Sequence, residues 1–192
     1  MELIEIKNGN SVARISNGLC YLTINDISII TPTLEERLKI NGADVTNFRS
    51  IGNFPDRAIF AKSHDNLIIG KSYWLQPNGL DIITTLRNVG KEIANLDVEL
   101  AIPLKYAPGF DSKIIAENYF TIKIDDLKEP YNLENIPKIT YEKENKIKVH
   151  LDSSMRFWTI NPEPFYVAAK AKCEIRSGTT KSYTTTIEAK KF

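Results

Sequence analysis

Apolar and polar residues alternate between Asn95 and Leu100: Leu96, Val98 and Leu100 fall on one side, Asn95, Asp97 and Glu99 on the other. A period of two places successive side chains on opposite faces of a strand, so one face is buried and the other wet. The same alternation runs through residues 139–151, with a turn near Glu144-Asn145. It returns in residues 165–175, where Phe165, Val167, Ala169, Ala171, Cys173 and Ile175 share a face. Residues 79–86 are strand-like too. A turn at Val89-Gly90-Lys91-Glu92 joins them to residues 93–102, and the two are expected to complete one central sheet.

The rest of the chain reads the same way. Residues 1–6 and 11–16 are short strands separated by Asn8-Gly9-Asn10, and Asn17-Gly18 turns the chain again, since Asn and Gly tolerate positive φ. Residues 19–30 form one bent strand or two strands broken at Asn25-Asp26. Residues 32–40 fit two readings. Pro32 at a first helical position and the four-residue spacing of Leu34 and Leu38 suit a short helix; the β context and the Asn41-Gly42 turn favour a strand, which is preferred. Residues 44–56 are expected to be loop. Strands at 58–61 and 67–75 flank a turn at His64-Asp65-Asn66, and Pro77-Asn78-Gly79 is a further turn. Pro103 and Pro108 end the strand 93–102, because proline cannot donate to a ladder. Residues 110–116 are ambiguous, 118–124 are a strand, and 125–137 are a long connection or flap. An aromatic strand at 155–160, a break at 161–164, a turn at Ser177-Gly178 and a strand at 182–189 close the chain. The expectation is an all-β protein, a large antiparallel, supersandwich-like β-sandwich of about twelve strands in two sheets, with residues 1–192 as one domain and no helix of normal length.

The 192 residues suffice to bury a core without metal or disulfide staples. The net charge of +1, from 25 basic and 24 acidic side chains, supplies no general field toward nucleic acid or an anionic membrane. Lys170, Lys172, Arg176, Lys181, Lys190 and Lys191 make the C-terminal part locally basic, which reads as a solvated sheet face. Cys20 and Cys173 are read as buried free thiols, with a disulfide between them as the alternative. There is no signal-peptide pattern at the N-terminus, and no apolar run nears the roughly 18 residues of a membrane span. A cytoplasmic location is the expectation.

A succession of stretches carries a resemblance. Gly18-Leu19-Cys20-Tyr21 precedes a strand ending at Ile40-Asn41-Gly42. Residues 67–104 run through Arg87-Asn88-Val89-Gly90-Lys91-Glu92. Phe110-Asp111 follows, and residues 175–184 close with Ser177-Gly178 and a Thr-rich strand. In this order they resemble the N-terminal β-sandwich domain of glycogen debranching enzymes of the amylo-α-1,6-glucosidase type, with residues 67–104 as its central hairpin. In that family an Asp-Thr-Arg triplet follows the opening strand; here the region reads Thr23-Ile24-Asn25-Asp26. The family's catalytic acids lie in a helical barrel after the sandwich, and this chain ends at Phe192. The resemblance therefore implies a sandwich without hydrolase machinery, binding an α-glucan or docking onto a separate catalytic domain.

The residues themselves offer little catalytic chemistry. There is no Gly-rich phosphate loop, no nucleophile elbow and no zinc-type His pair. His64 and His150 read as surface or turn residues. Glycoside hydrolysis needs two facing carboxyls; Glu35/Glu36 and Asp125/Asp126 are adjacent and point apart in a strand, and Glu142 and Glu144 read as solvated positions of a hairpin. No metal, cofactor or catalytic activity is expected. The aromatic couplets Tyr73-Trp74, Phe157-Trp158 and Phe165-Tyr166 are the better lead, each able to send one ring to the core and one outward. Tyr73, Trp74, Trp158 and Tyr166 are the candidate sugar-binding residues, by stacking on exposed rings. The candidate partners are an α-glucan, a catalytic domain or a second copy of the chain. The rival reading is a structural or protein-interaction sandwich with no carbohydrate role.

Overall fold

Alternating sequence becomes alternating burial. The computed structural model describes residues 3–30, 33–106, 109, 111–116, 120–144 and 146–191. Among these lie nineteen strands and one short 3-10 turn at Ile124–Asp126, arranged in three sheets whose ladders are all antiparallel. A four-stranded meander holds β1 (Ile4–Asn8), β2 (Ser11–Ile15), β3 (Leu19–Ile24) and β4 (Ile27–Ile30). A six-stranded sheet runs, from one edge to the other, through β14 (Tyr131–Leu133), β17 (Phe157–Asn161), β18 (Tyr166–Ile175), β11 (Ala94–Pro103), β5 (Arg37–Ile40) and β6 (Ala43–Asp44). A nine-stranded sheet runs through β13 (Phe120–Lys123), β12 (Ser112–Ala116), β15 (Lys138–Lys143), β16 (Ile147–Ser153), β19 (Thr180–Lys191), β10 (Gly79–Asn88), β9 (Leu67–Gln76), β8 (Arg57–His64) and β7 (Arg49–Asn53).

The two larger sheets bury one face each. Leu67, Ile69, Tyr73 and Leu75 of β9 and Leu80, Ile82 and Leu86 of β10 point inward, as do Leu96, Val98, Leu100 and Ile102 of β11 and Trp158 and Ile160 of β17. They share one continuous buried cluster with Ile4, Ile6, Ala13 and Ile15 of the meander. The Asn8 amide donates to the Leu75 carbonyl at 2.9 Å, and the Lys105 N–H donates to the Ile29 carbonyl at 2.7 Å, so the meander is tied to β9 and to the segment that leaves β11. The chain is an all-β antiparallel sandwich, as its periodicity indicated.

Several local expectations change. The segment expected to be loop contains β7, paired with β8 across a bulge between Ser50 and Gly52 that erases the alternation. Residues 19–30 are two strands, parted where Asn25 and Asp26 take φ of 50° and 62°. Residues 37–40 are strand, the preferred of the two readings, and Pro32 lies outside the described residues. Two sheets of about twelve strands become three of nineteen, because the meander separates and short edge strands such as β6, β7 and β14 add to the count. Cys20 and Cys173 are half-buried and free, so no disulfide joins them. Glu142 is buried rather than solvated: its carboxylate takes Lys113 at 3.0 Å and Lys148 at 3.4 Å. Burial raises a carboxyl's pKa; the bonds from the two lysines outweigh it and hold Glu142 below the ordinary value.

The largest correction concerns β10 and β11. They are not a hairpin. β10 pairs with β9 and β19, and β11 pairs with β18 and β5 in the opposite sheet. The turn at 89–93 is an arch from one layer to the other. Asn88, buried at its foot, donates through Nδ2 to the carbonyls of Glu92 (2.7 Å) and Ile175 (2.9 Å) and accepts the Gly90 N–H at 2.9 Å.

Candidate functional site

The outward face of the six-stranded sheet is open, and its register sets out which side chains stand side by side. In β11 the even positions 96–102 are in the core, so Asp97, Glu99 and Ala101 point out. Opposed residues in an antiparallel pair share a face. Glu99 is opposite Lys170 on one side and Lys39 on the other, and Lys170 is opposite Phe157. One row across four strands therefore reads Phe157, Lys170, Glu99, Lys39. The Glu99 carboxylate bonds Lys39 at 3.3 Å through one oxygen and Lys170 at 3.1 Å through the other. In the next row Lys172 stands 3.9 Å from Asp97. The Phe157 ring is 42% exposed. Over these rows lies a cavity of about 610 Å³, closed at the far edge by Asn132 and Glu134. The Thr159 hydroxyl donates to Asn132 Oδ1 at 2.7 Å and holds that amide in place.

The other end of the same face is closed. Ala101, Ala168 and Tyr166 form a separate small apolar cluster with Leu34 packed on it. The Arg37 guanidinium lies 5.3 Å from the centre of the Tyr166 ring, and the Tyr166 hydroxyl donates to the Glu35 carbonyl. Burial pushes the Tyr166 phenol above its ordinary pKa although Arg37 opposes this. Residues 33–37 thus form a wall, pinned from beneath by Glu36, whose carboxylate bonds Lys71 at 2.6 Å and accepts the Tyr73 hydroxyl at 2.7 Å and the Leu19 N–H at 3.1 Å.

The four candidate aromatics do not come together. Tyr73 points into the core, 1% exposed, with its hydroxyl on Glu36. Trp158 also points inward, 1% exposed, donating Nε1–H to the Ile136 carbonyl, although it borders the cavity. Tyr166 is covered by Leu34 and Arg37. None of Tyr73, Trp158 and Tyr166 offers a ring face for stacking, because inward position or an overlying segment covers it. Trp74 is exposed, but on the outer face of the nine-stranded sheet. Of the Phe157-Trp158 couplet it is Phe157, passed over in the sequence, that faces out. Glu99, Lys170 and Lys39 were visible only as polar positions of separate strands, and no local pattern announces that three distant segments are adjacent. His64 ends β8 and His150 lies on β16, so neither imidazole is on this face. Among the described residues no cluster of His, Cys, Asp and Glu is arranged to hold a metal ion, and no helix is long and apolar enough to cross a membrane.

No protein-family model matches the sequence, and no curated protein matches it. Solved structures do match its fold. A galactose mutarotase-like protein from Lactobacillus casei superposes with a TM-score of 0.85 at 14% identity, covering 98% of this chain and 100% of its own. The GalM/aldose epimerase homologue from C. elegans gives 0.67 at 10% identity, over 99% of both chains. A GH36 α-galactosidase from Geobacillus stearothermophilus gives 0.58 at 8% identity, over 100% of this chain but 41% of the enzyme. These likenesses show a β-sandwich shared with carbohydrate-related proteins. They do not single out the debranching-enzyme domain.

Proposed function

We propose that this chain binds a carbohydrate on the open face of the six-stranded sheet, without transforming it. The observation that carries the reading is the row Phe157, Lys170, Glu99, Lys39 beneath a cavity of about 610 Å³. That volume is within the usual range for small-molecule sites, about 300–1,000 Å³. A sugar presents an apolar C–H face and a rim of hydroxyls that both donate and accept. Phe157 supplies an exposed ring for the former. The lysine ammoniums are pure donors and the Asp97 and Glu99 carboxylates pure acceptors, so together they match the rim. The fold neighbours named as galactose mutarotase-like support a free hexose as ligand, and the debranching-enzyme resemblance supports the end of an α-glucan.

The chemistry of the face favours binding over turnover. Opening a sugar ring needs one group to take the anomeric hydroxyl proton and another to protonate the ring oxygen, each within hydrogen-bond reach. Both oxygens of Glu99 are engaged by ammoniums, so neither can take that proton without giving up an ion pair. Calorimetric titration with D-galactose, D-glucose and maltooligosaccharides tests the reading. Saturable binding, lost in Phe157→Ala and weakened in Glu99→Gln, is expected. Absence of binding to every sugar would remove the reading. Polarimetry of freshly dissolved α-D-galactose decides the second clause: no acceleration is expected, and an acceleration abolished in Glu99→Gln would make the chain an epimerase.

A further inference from the structure

The nine-stranded sheet carries a second feature, on the face opposite the candidate site. Four cross-strand rows lie outward on β8, β9 and β10: Arg57, Trp74, Asp81; then Ile59, Ser72, Ile83; then Ala61, Gly70, Thr85; then Ser63, Ile68, Arg87. Trp74 and Ile68 are 40% and 41% exposed. Arg57 and Asp81 sit two strands apart, about 10 Å, and neither makes an ion pair with any described residue. Asp81 accepts the Thr186 hydroxyl at 2.7 Å, which fixes its carboxylate, and the Arg57 guanidinium rests 5.7 Å from the Phe54 ring. An exposed tryptophan between unpaired opposite charges has the composition of an interface centre.

The arrangement is complementary to itself. Turning a second copy over about an axis along β9 exchanges the β8 and β10 positions and leaves β9 in place. Arg57 then faces the second copy's Asp81, and Asp81 its Arg57. Ile59 faces Ile83, Ala61 faces Thr85, and Trp74, Ser72, Gly70 and Ile68 each meet their own counterpart on the axis. The two β9 strands lie nearly parallel, and tilting the axis by about half the usual ~30° reaches the aligned packing of sheets. Rotation about an axis across the strands along the first row would instead set Arg57 on Arg57 and Asp81 on Asp81, and one midway between the rows would set Arg57 on Ser63, without an acidic partner. We infer that this face is an isologous dimer interface between two copies of the chain, with its two-fold along β9. The occupant is fixed by the charges: a partner of other sequence has no reason to mirror the Arg57–Asp81 and Ile59–Ile83 pairs about one strand. The inference does not rest on the carbohydrate reading, since the candidate site lies on the other sheet and stays open in the dimer.

Sedimentation equilibrium on the full chain and its variants tests it. The wild type is expected to be a dimer at micromolar concentration. Arg57→Asp and Asp81→Arg each set like charges together and should raise the dimer dissociation constant roughly tenfold or more. The double variant Arg57→Asp/Asp81→Arg restores opposite charges in the inverted sense and should regain the dimer. Because rescue cannot come from a chain that has failed to fold, the double variant separates interface loss from unfolding. A monomeric wild type overturns the inference. So does a dimer indifferent to the single reversals, or a double variant no better than the singles. A wild type that stays monomeric and shows, on adding maltooligosaccharide, a fluorescence shift that is lost in Trp74→Phe would make the face a glycan platform instead.

Discussion

At Glu36 a charge is buried completely, which the neighbouring residues must justify. Its carboxylate and the Lys71 ammonium are 0% and 2% exposed and 2.6 Å apart. The Phe48 and Tyr73 rings lie 5.4 Å and 5.2 Å from that ammonium. The pair joins all three sheets: Glu36 leads into β5, Lys71 and Tyr73 belong to β9, and Leu19 opens β3. Removing one partner leaves the other charge uncompensated, at a cost of about 3–5 kcal/mol. Glu36→Gln and Lys71→Met are each expected to lose stability of that order in urea denaturation. The double variant should be more stable than either single one. It removes both charges, while the amide oxygen that replaces the carboxylate can still accept from Tyr73 and Leu19. A single variant as stable as wild type would sink this account. Gly18 is set by the same contact. A Cβ there would lie 2.1 Å from the Glu36 carbonyl oxygen, so Gly18→Ala must push the anchor aside; the expected loss is about 2–3 kcal/mol. In the sequence, Glu35 and Glu36 could be judged only as neighbours pointing apart. That Glu36 meets Lys71 is a fact about a contact 35 residues away.

Among the elements, the arch between β10 and β11 separates what a sequence announces from what it does not. Three bonds converge on Asn88. Asn88→Ala would leave the Ile175 and Glu92 carbonyls and the Gly90 N–H without that partner, at about 1–3 kcal/mol for each group that stays buried. The expected result is a lower denaturation midpoint, with faster amide exchange confined first to the ends of β10, β11 and β18. Exchange changes spread evenly over all three sheets would contradict a local clasp. Strands were legible because a buried face imposes its period on the residues: β11, β15, β16 and β18 all stand where alternation placed them. Sheet membership was not, because Val89-Gly90-Lys91-Glu92 suits a turn whether the chain doubles back or crosses to the other layer. The difference lies in Asn88 reaching the Ile175 carbonyl, and in Leu96 lying opposite Cys173 rather than a β10 residue. The candidate site suffered the same way. Phe157 and Lys170 are opposed across β17 and β18, and β5 supplies Lys39 from the far side of β11. The alternation that predicts a wet face gives no hint of which wet faces adjoin.

For the whole molecule, the shared core makes distant phenols act in concert on stability. Tyr73, Tyr141 and Tyr183 are all buried, 1%, 3% and 6% exposed, and come from β9, β15 and β19. Burial pushes each phenol above its ordinary pKa of 10.0; the Glu36 charge and bond add to it at Tyr73, and a contact with Cys173 adds at Tyr183. A raised folded-state pKa means that the folded protein keeps protons the unfolded chain gives up. The stability these groups contribute is therefore fully present below pH 10 and declines as pH climbs toward their folded values. Each phenol that stays protonated only in the folded state lowers stability by about 1.4 kcal/mol per pH unit. Urea midpoints measured on both sides of pH 10 should be level below it and fall above it, with the share of phenolate absorbance that belongs to these three rings rising together with unfolding rather than before it. Tyr73→Phe sharpens the test. It weakens the protein at neutral pH, because Glu36 loses a donor, yet it removes one titrating group and should make the alkaline decline shallower. If phenolate absorbance appeared in full while the sheets remained intact, the three rings would not be sealed in one core. An unchanged alkaline slope in Tyr73→Phe would exclude Tyr73 from the set.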